Sequence, residues 1–331
     1  MRSILITGVG GGVGQSIIKC LQGTGYRLIG ADGDILGAGL YAVDHAYTIP
    51  YAAKADFVER LLEIAKAEEC SMLFPGLDAE LLPLARATDR FTSNGVCAVV
   101  SGPDIVAICD DKLATAQFLT SHGFPAPMTG LLSEPIPGGM PFPVVLKPRR
   151  GGARSHGVFV AQNAAEVDMH RASLPADNYV VQEQIVGDEY TCGSVNFDGR
   201  CMGVIVMRRV LRDGDTYKAF VVKDAPLTDF IEAVATRLKP FGACNFQFRL
   251  RDGTPYIFEF NARCSGTTYS RALAGFNEPL MILNYFLHGE RPSFDIREIT
   301  VLRYWKELVV ENIRVAHLAA NGTVPGNSSL L

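Results

Sequence analysis

No stretch of this chain approaches the ~20 apolar residues that a membrane-spanning helix needs. The first residues, Met1–Thr7, are apolar but too short and too uncharged for a secretion signal, so the chain is expected in the cytoplasm. Eight cysteines are present without one C-x-x-C pair, and six histidines without H-x-x-x-H spacing. That scatter excludes a zinc ribbon or disulfide framework and suits buried thiols in a reducing compartment. There is no cationic excess. Lys and Arg number 31 against 35 Asp and Glu, a net charge of -4, which excludes an electrostatic footprint for nucleic acid or an anionic membrane. Y-x-x-x-K occurs nowhere, and no internal repeat is visible.

What is present is a globular composition, 48% apolar and 20% charged over 331 residues, enough for two domains. Ser3–Thr7, a glycine turn and a helix over 14–22 form a β-turn-α unit, and a strand over 26–31 ends at Asp32. Helical spacing over 57–67 and 79–87 alternates with apolar runs at 71–75 and 95–101. This rhythm predicts a doubly wound parallel sheet up to about residue 108. Asp110 reads as the N-cap of a helix over 111–122. Residues 133–143 carry four prolines and two glycines and must be a loop. Beyond them the pattern is of strands joined by tight turns, with one amphipathic helix near 228–239 and a last hairpin over 244–261. Residues 318–331 are small and polar and are expected to fray.

Gly8-x-Gly10-Gly11-Gly12-x-Gly14 follows a strand and opens a helix, and Asp32 ends the next strand where a ribose-binding acid would sit. These features support an NAD(P)-dependent dehydrogenase or epimerase. The missing Y-x-x-x-K and the lost βα rhythm over the next 200 residues favour a tight βα turn that binds no dinucleotide.

A second set of motifs points elsewhere. The strand ending in Lys147 leads into a glycine-rich turn, Gly151–Gly157, and another strand. Such a loop can fold over a triphosphate with backbone N–H groups while the lysine neutralises charge. The strand at 179–183 runs into a short linker, where Glu183 can accept from an adenine amino group and Glu189 from ribose hydroxyls. In the last hairpin, alternation puts Tyr256, Phe258 and Phe260 on one face, and Gln247, Glu259, Asn261, Arg249 and Arg263 on the other. A three-residue turn at Asp252-Gly253-Thr254 would set Gln247 directly across from Glu259. Carboxylate and amide oxygens converging there are hard ligands suited to Mg²⁺ between protein and phosphates.

Taken in order, these pieces resemble the ATP-grasp superfamily, in particular its carbamoyl-phosphate-synthetase-like carboxylate–amine ligase branch. Asp111-Lys112 resembles the family's D-K, Lys147 with Gly151-Gly152-x-x-Ser155-x-Gly157 the second phosphate lysine and lid, and Glu183–Glu189 the adenine linker and ribose glutamate. Gln247 followed by Glu259-Phe260-Asn261-Ala262-Arg263 resembles the metal-binding Q…E-x-N-P-R, with alanine in place of proline. The resemblance implies an α/β and α+β chain. A doubly wound pre-ATP-grasp domain would occupy residues 1–110, a small lobe with lid 111–182, a large lobe with the metal site 183–317, and a frayed tail 318–331. It implies ATP and Mg²⁺ as cofactors. Lys112, Lys147, Gly152, Ser155, Gly157, Glu183, Gln184, Val186 and Glu189 would hold the nucleotide, and Gln247, Glu259 and Asn261 the metal. Arg263 would face an acyl phosphate, and Lys218 would add a phosphate contact. The implied partners are a small-molecule carboxylate and an amine or thiol, with a homodimer admitted. The implied activity is an ADP-forming ligase. One half of a split carbamoyl phosphate synthetase and an ATP-binding regulator without turnover are the other readings.

Overall fold

The computed structural model describes residues 2–152 and 156–326. Its first sheet is built from β1 (Ser3–Thr7), β2 (Arg27–Asp32), β3 (His45–Thr48), β4 (Cys70–Phe74) and β5 (Cys97–Ala98), all parallel, in the order β3-β2-β1-β4-β5. β1 is buried at every residue, as expected for a strand covered on both faces. Around it lie α1 (Gly12–Leu21), α2 (Phe57–Ala67), α3 (Asp78–Arg86) and α4 (Thr88–Ser93). The parallel, doubly wound sheet is the one the strand–helix rhythm predicts.

The chain then passes through α5 (Pro103–Asp110) into α6 (Lys112–Ser121). Asp111, not Asp110, is the N-cap. Its carboxylate accepts from the backbone N–H of Leu113 at 3.0 Å and of Ala114 at 3.3 Å, while Asp110 ends the preceding helix. A small four-stranded sheet follows, made of β6 (Thr129–Leu131), β7 (Val144–Pro148), β8 (Phe159–Ala161) and β9 (Tyr179–Glu183) in the order β6-β9-β7-β8. Between β8 and β9 lies α7 (Ala164–Ser173), a helix that the strand-and-turn reading omits. Its inward face holds little more than Val167, so the apolar period is faint.

The third sheet is antiparallel: β10 (Asp188–Phe197), β11 (Arg200–Arg212), β12 (Asp215–Val222), β13 (Gly242–Arg251), β14 (Thr254–Asn261) and β15 (Thr300–Leu302), ordered β14-β13-β10-β11-β12-β15. α8 (Ala225–Leu238) packs on one face with Phe246, Phe248, Ile257 and Phe260. The opposite face is divided. Val195, Phe197, Ile205 and Met207 at one end join a core shared with the first sheet, α1 and α10 (Glu278–His288), and α9 (Thr268–Leu273) lies against both helices. The other end is polar and faces the small sheet.

The expected frayed tail is corrected over residues 318–326, while residues 327–331 lie outside the described residues. α11 (Asn312–Asn321) buries Leu318 completely, and β16 (Thr323–Pro325) pairs antiparallel with β3, so residues 312–325 complete the first sheet. Leu318 and Val324 supply the apolar contacts that a small, polar composition conceals. Among the described residues, no helix is long and apolar enough to cross a membrane.

Candidate active site

The polar end of the third sheet is organised by a single irregularity. The β13–β14 turn has two residues, because Arg251 pairs with Thr254; Asp252 and Gly253 take φ of 50° and 76°, the left-handed values such a hairpin needs. The three-residue turn is therefore wrong. In a regular ladder from that turn, Glu259 would oppose Phe246 on the core face. Instead a bulge leaves Phe258 without a partner and sets Gln247 across from Glu259 and Asn245 across from Asn261. The expected aromatic face is corrected accordingly. Ile257 and Phe260 enter the core, whereas Arg251 stacks on the Tyr256 ring at 4.3 Å and Lys147 Nζ lies 5.2 Å from the Phe258 ring.

Gln247, Glu259 and Asn261 converge on one face, joined through their side chains. Asn261 Nδ2 donates to Glu259 Oε1 at 3.2 Å, and Gln247 Nε2 donates to Asn261 Oδ1 at 3.2 Å. Arg209, facing them from β11, donates to Gln247 Oε1 at 2.7 Å and to Glu189 Oε1 at 2.6 Å, and Arg249 donates to Glu189 Oε2 at 2.7 Å. Glu189 thus sits on the same face, with both oxygens already engaged by arginines. Sequence reasoning missed Arg209. Counting back from the β10–β11 turn in a regular ladder sets Arg208 opposite Glu189, but a bulge beside Val195 makes it Arg209.

Across the cleft, two lysines approach from the small lobe. Lys147, at the end of β7, is only 8% exposed, and Lys112 Nζ donates to Gly151 O at 2.8 Å. Burial pushes the Lys147 ammonium down from its ordinary 10.5 to about 8. The Glu259 and Glu189 carboxylates partly restore it, while Lys112 depresses it further. The lid glycines Gly151, Gly152 and Gly157 take φ of 65°, 79° and 72°, and a Cβ on Gly157 would come within 2.8 Å of the Tyr179 hydroxyl. Ser155 lies outside the described residues.

The adenine linker follows β9, with Gln184 half-buried and Val186 73% exposed. The carboxylate of Glu183 is already engaged by the protein. Its Oε1 accepts from Arg251 at 2.6 Å and its Oε2 from the backbone N–H of Met128 at 3.2 Å. Lys218 is a further correction. It pairs with Val210, one residue out of phase with the Ala219–Arg209 pair, so it projects from the opposite sheet face. Arg263 does face the cleft region, but there it is ion-paired with Asp78 at the start of α3, a residue without a prominent motif in the sequence.

The first glycine loop is filled by its own protein. A Cβ at Gly8 would meet Leu77 Cγ at 2.7 Å, one at Gly10 would meet Gly37 Cα at 3.0 Å, and one at Gly14 would meet Gly8 O at 2.5 Å. Asp32 accepts from the Gly10 N–H at 2.7 Å. These glycines serve close packing, and the acid that would read a ribose holds the loop instead.

Comparison with known proteins agrees with this architecture. Residues 4–100 match a family described as PylC-like, N-terminal domain, and residues 176–307 match one described as ATP-grasp in the biosynthetic pathway with Ter operon. The carbamoyl phosphate synthase large chain of Mesorhizobium japonicum is 23% identical over 292 residues, covering 75% of this chain and 24% of that protein. That of Mycobacterium sp. strain JLS is 25% identical over 237 residues, covering 63% and 21%. The chain thus spans about a quarter of the length of these relatives. An N5-carboxyaminoimidazole ribonucleotide synthetase solved as an ADP complex superposes with TM-score 0.71 at 15% identity, over 90% of this chain and 79% of that one. Biotin carboxylase from Campylobacter jejuni gives 0.68 at 15% identity, over 89% and 73%. L-amino acid ligase from Bacillus licheniformis gives 0.67 at 14% identity, over 87% and 74%. Residues 4–100 thus match a PylC-like N-terminal domain and residues 176–307 an ATP-grasp domain, and the three-sheet fold is the one shared with these solved structures.

Proposed function

We propose that the protein is an ADP-forming ligase that uses Mg-ATP to convert a substrate carboxylate into an acyl phosphate, which an amine then attacks. The observation that carries this reading is the opposition of Lys112 and Lys147 to the Gln247–Glu259–Asn261 face across one cleft, beneath a glycine lid. The donor set fits a hard cation held mostly by phosphate oxygens, since Glu259 offers a half-buried carboxylate while the Gln247 and Asn261 amide oxygens beside it already accept from Arg209, Gln247 and Asn245. Glu259, with Gln247 and Asn261 beside it, would hold Mg²⁺, which when bound neutralises phosphate charge. Lys147 and Lys112 would draw the phosphates into the cleft, the lid glycines would bring backbone N–H groups over them, and linker residues 184–186 would meet the base. Arg249 and Arg209 add positive charge beside the transferring group. Carboxylate and amine substrates, the cytoplasmic location and a homodimer remain part of this proposal.

The test is ligand-dependent melting. ADP or ATP with Mg²⁺ should raise the melting temperature, and NAD or NADP should not. At a hundred times its dissociation constant a ligand adds about 2.7 kcal/mol to the native state. A shift with NAD and none with Mg-ATP would overturn the reading.

A further inference from the structure

Farther along the same sheet face, over Gly193, lies an ion pair that the proposed chemistry does not use. Arg271 of α9 and Glu278 of α10 are both fully buried, with Arg271 Nη1 donating to Glu278 Oε1 at 2.7 Å. The backbone makes room for them. Gly193 is in mid-strand, opposite Asn245, and a Cβ there would lie 2.4 Å from both Arg271 Nη1 and Glu278 Oε1. Among the described residues, Arg271 Nε and Glu278 Oε2 have no hydrogen-bond partner. A buried pair with two unsatisfied polar atoms is a poor device for stability, and apolar residues of similar volume often serve as well or better.

The pair does connect to the site. Arg271 Nη2 donates to Asn245 Oδ1 and, at 3.3 Å, to Thr191 Oγ1. Asn245 Nδ2 donates to Asn261 Oδ1 at 3.0 Å. The polarity of this chain follows from chemistry alone, because an arginine can only donate. Arg271 compels Asn245 to present its oxygen inward and therefore its NH₂ to Asn261. From the other end Arg209 donates to the Gln247 oxygen, which turns the Gln247 NH₂ to the same Asn261 oxygen. Asn261 is thereby left with its own NH₂ toward Glu259.

We infer that Arg271, through Asn245, is a positioning residue for the cation-binding face: it fixes which end of the Asn261 amide meets Glu259, and so the aim of that carboxylate. The inference rests on the reading of this face as the Mg-ATP site. Residues that orient metal ligands from behind typically change metal affinity 10–100-fold when removed.

The experiment measures Mn²⁺ binding by electron paramagnetic resonance on the whole protein with ADP present, and ADP binding by calorimetry with EDTA. Two variants are compared with wild type: the double substitution Arg271→Met with Glu278→Leu, and Asn245→Leu, which leaves the ion pair in place. Both should lose at least tenfold in Mn²⁺ affinity and keep metal-free ADP affinity within about twofold. A merely structural role would move both affinities together or neither. Should the double variant fail to fold, Asn245→Leu decides alone. Wild-type Mn²⁺ affinity retained in a folded variant overturns the inference. No Mn²⁺ binding by wild type with ADP overturns the reading of the site on which it rests.

Discussion

Replacing Lys147 with methionine should make the protein harder to unfold and worse at holding nucleotide. The side chain is 8% exposed, and burial lowers its pKa from 10.5 to about 8, so the fold without nucleotide pays for every pH at which the ammonium stays charged. The sign follows from linkage. The folded pKa lies below the unfolded one, so the penalty is present in full below pH 8 and fades as pH rises from 8 towards 10.5. Those two values give about 3 kcal/mol at pH 7 and about 1 kcal/mol at pH 10. Lys147→Met removes the charge and keeps most of the packed stem. Its urea midpoint should therefore exceed that of wild type at pH 7, and the gap should narrow by roughly 2 kcal/mol at pH 10. Calorimetry should show weaker ADP binding by the variant. In wild type near pH 8, ADP binding should take up protons, because phosphate oxygens beside the ammonium stabilise its charged form. A variant less stable than wild type at pH 7, with unchanged ADP affinity, would refute both the buried charge and its purpose.

Two further outcomes follow from other parts of the molecule. Burial raises the Glu80 carboxyl to about 7 between the Thr7 hydroxyl and the Gly76 and Leu77 N–H groups. The fold therefore loses stability as pH climbs from 4.5 to 7. Glu80→Gln should flatten that part of a pH–urea profile, and an unchanged slope would contradict it. Leu318→Asp puts a charge at a fully buried position against the first sheet and should lower stability by about 3 kcal/mol or more, read as a lower urea midpoint; a wild-type midpoint would restore the frayed tail.

The sequence made the parallel sheet legible, because β1, β2 and β4 are apolar runs punctuated by glycine turns and helical periods. Lys112, Lys147 and the hairpin were legible as local patterns, a lysine at a helix start or a strand end and polar residues at alternate positions. What alternation could not reveal was phase. Each bulge moves every residue beyond it to the other face, and bulges at Phe258 and beside Val195 decide that Glu259 and Asn261 join Gln247 and that Arg209 rather than Arg208 meets Glu189. Partnerships between distant elements were equally hidden. Glu183 has the look of a free acceptor until Arg251 is found 68 positions away, and Arg263 has the look of a free cation until Asp78 is found 185 away.

The return of β16 to β3 has a consequence for how this chain can be divided. His45 Nε2 and Thr323 Oγ1 lie 2.8 Å apart across a separation of 278 residues. The first domain is thus contiguous in space and split in sequence, with both ATP-grasp lobes inserted between its fifth strand and its last. A fragment cut near residue 110 would leave the backbone edge of β3 bare, an invitation to pair with other chains. Until residues 323–325 reach it, the same edge is open in this chain, so closing the sheet depends on a contact of long sequence separation.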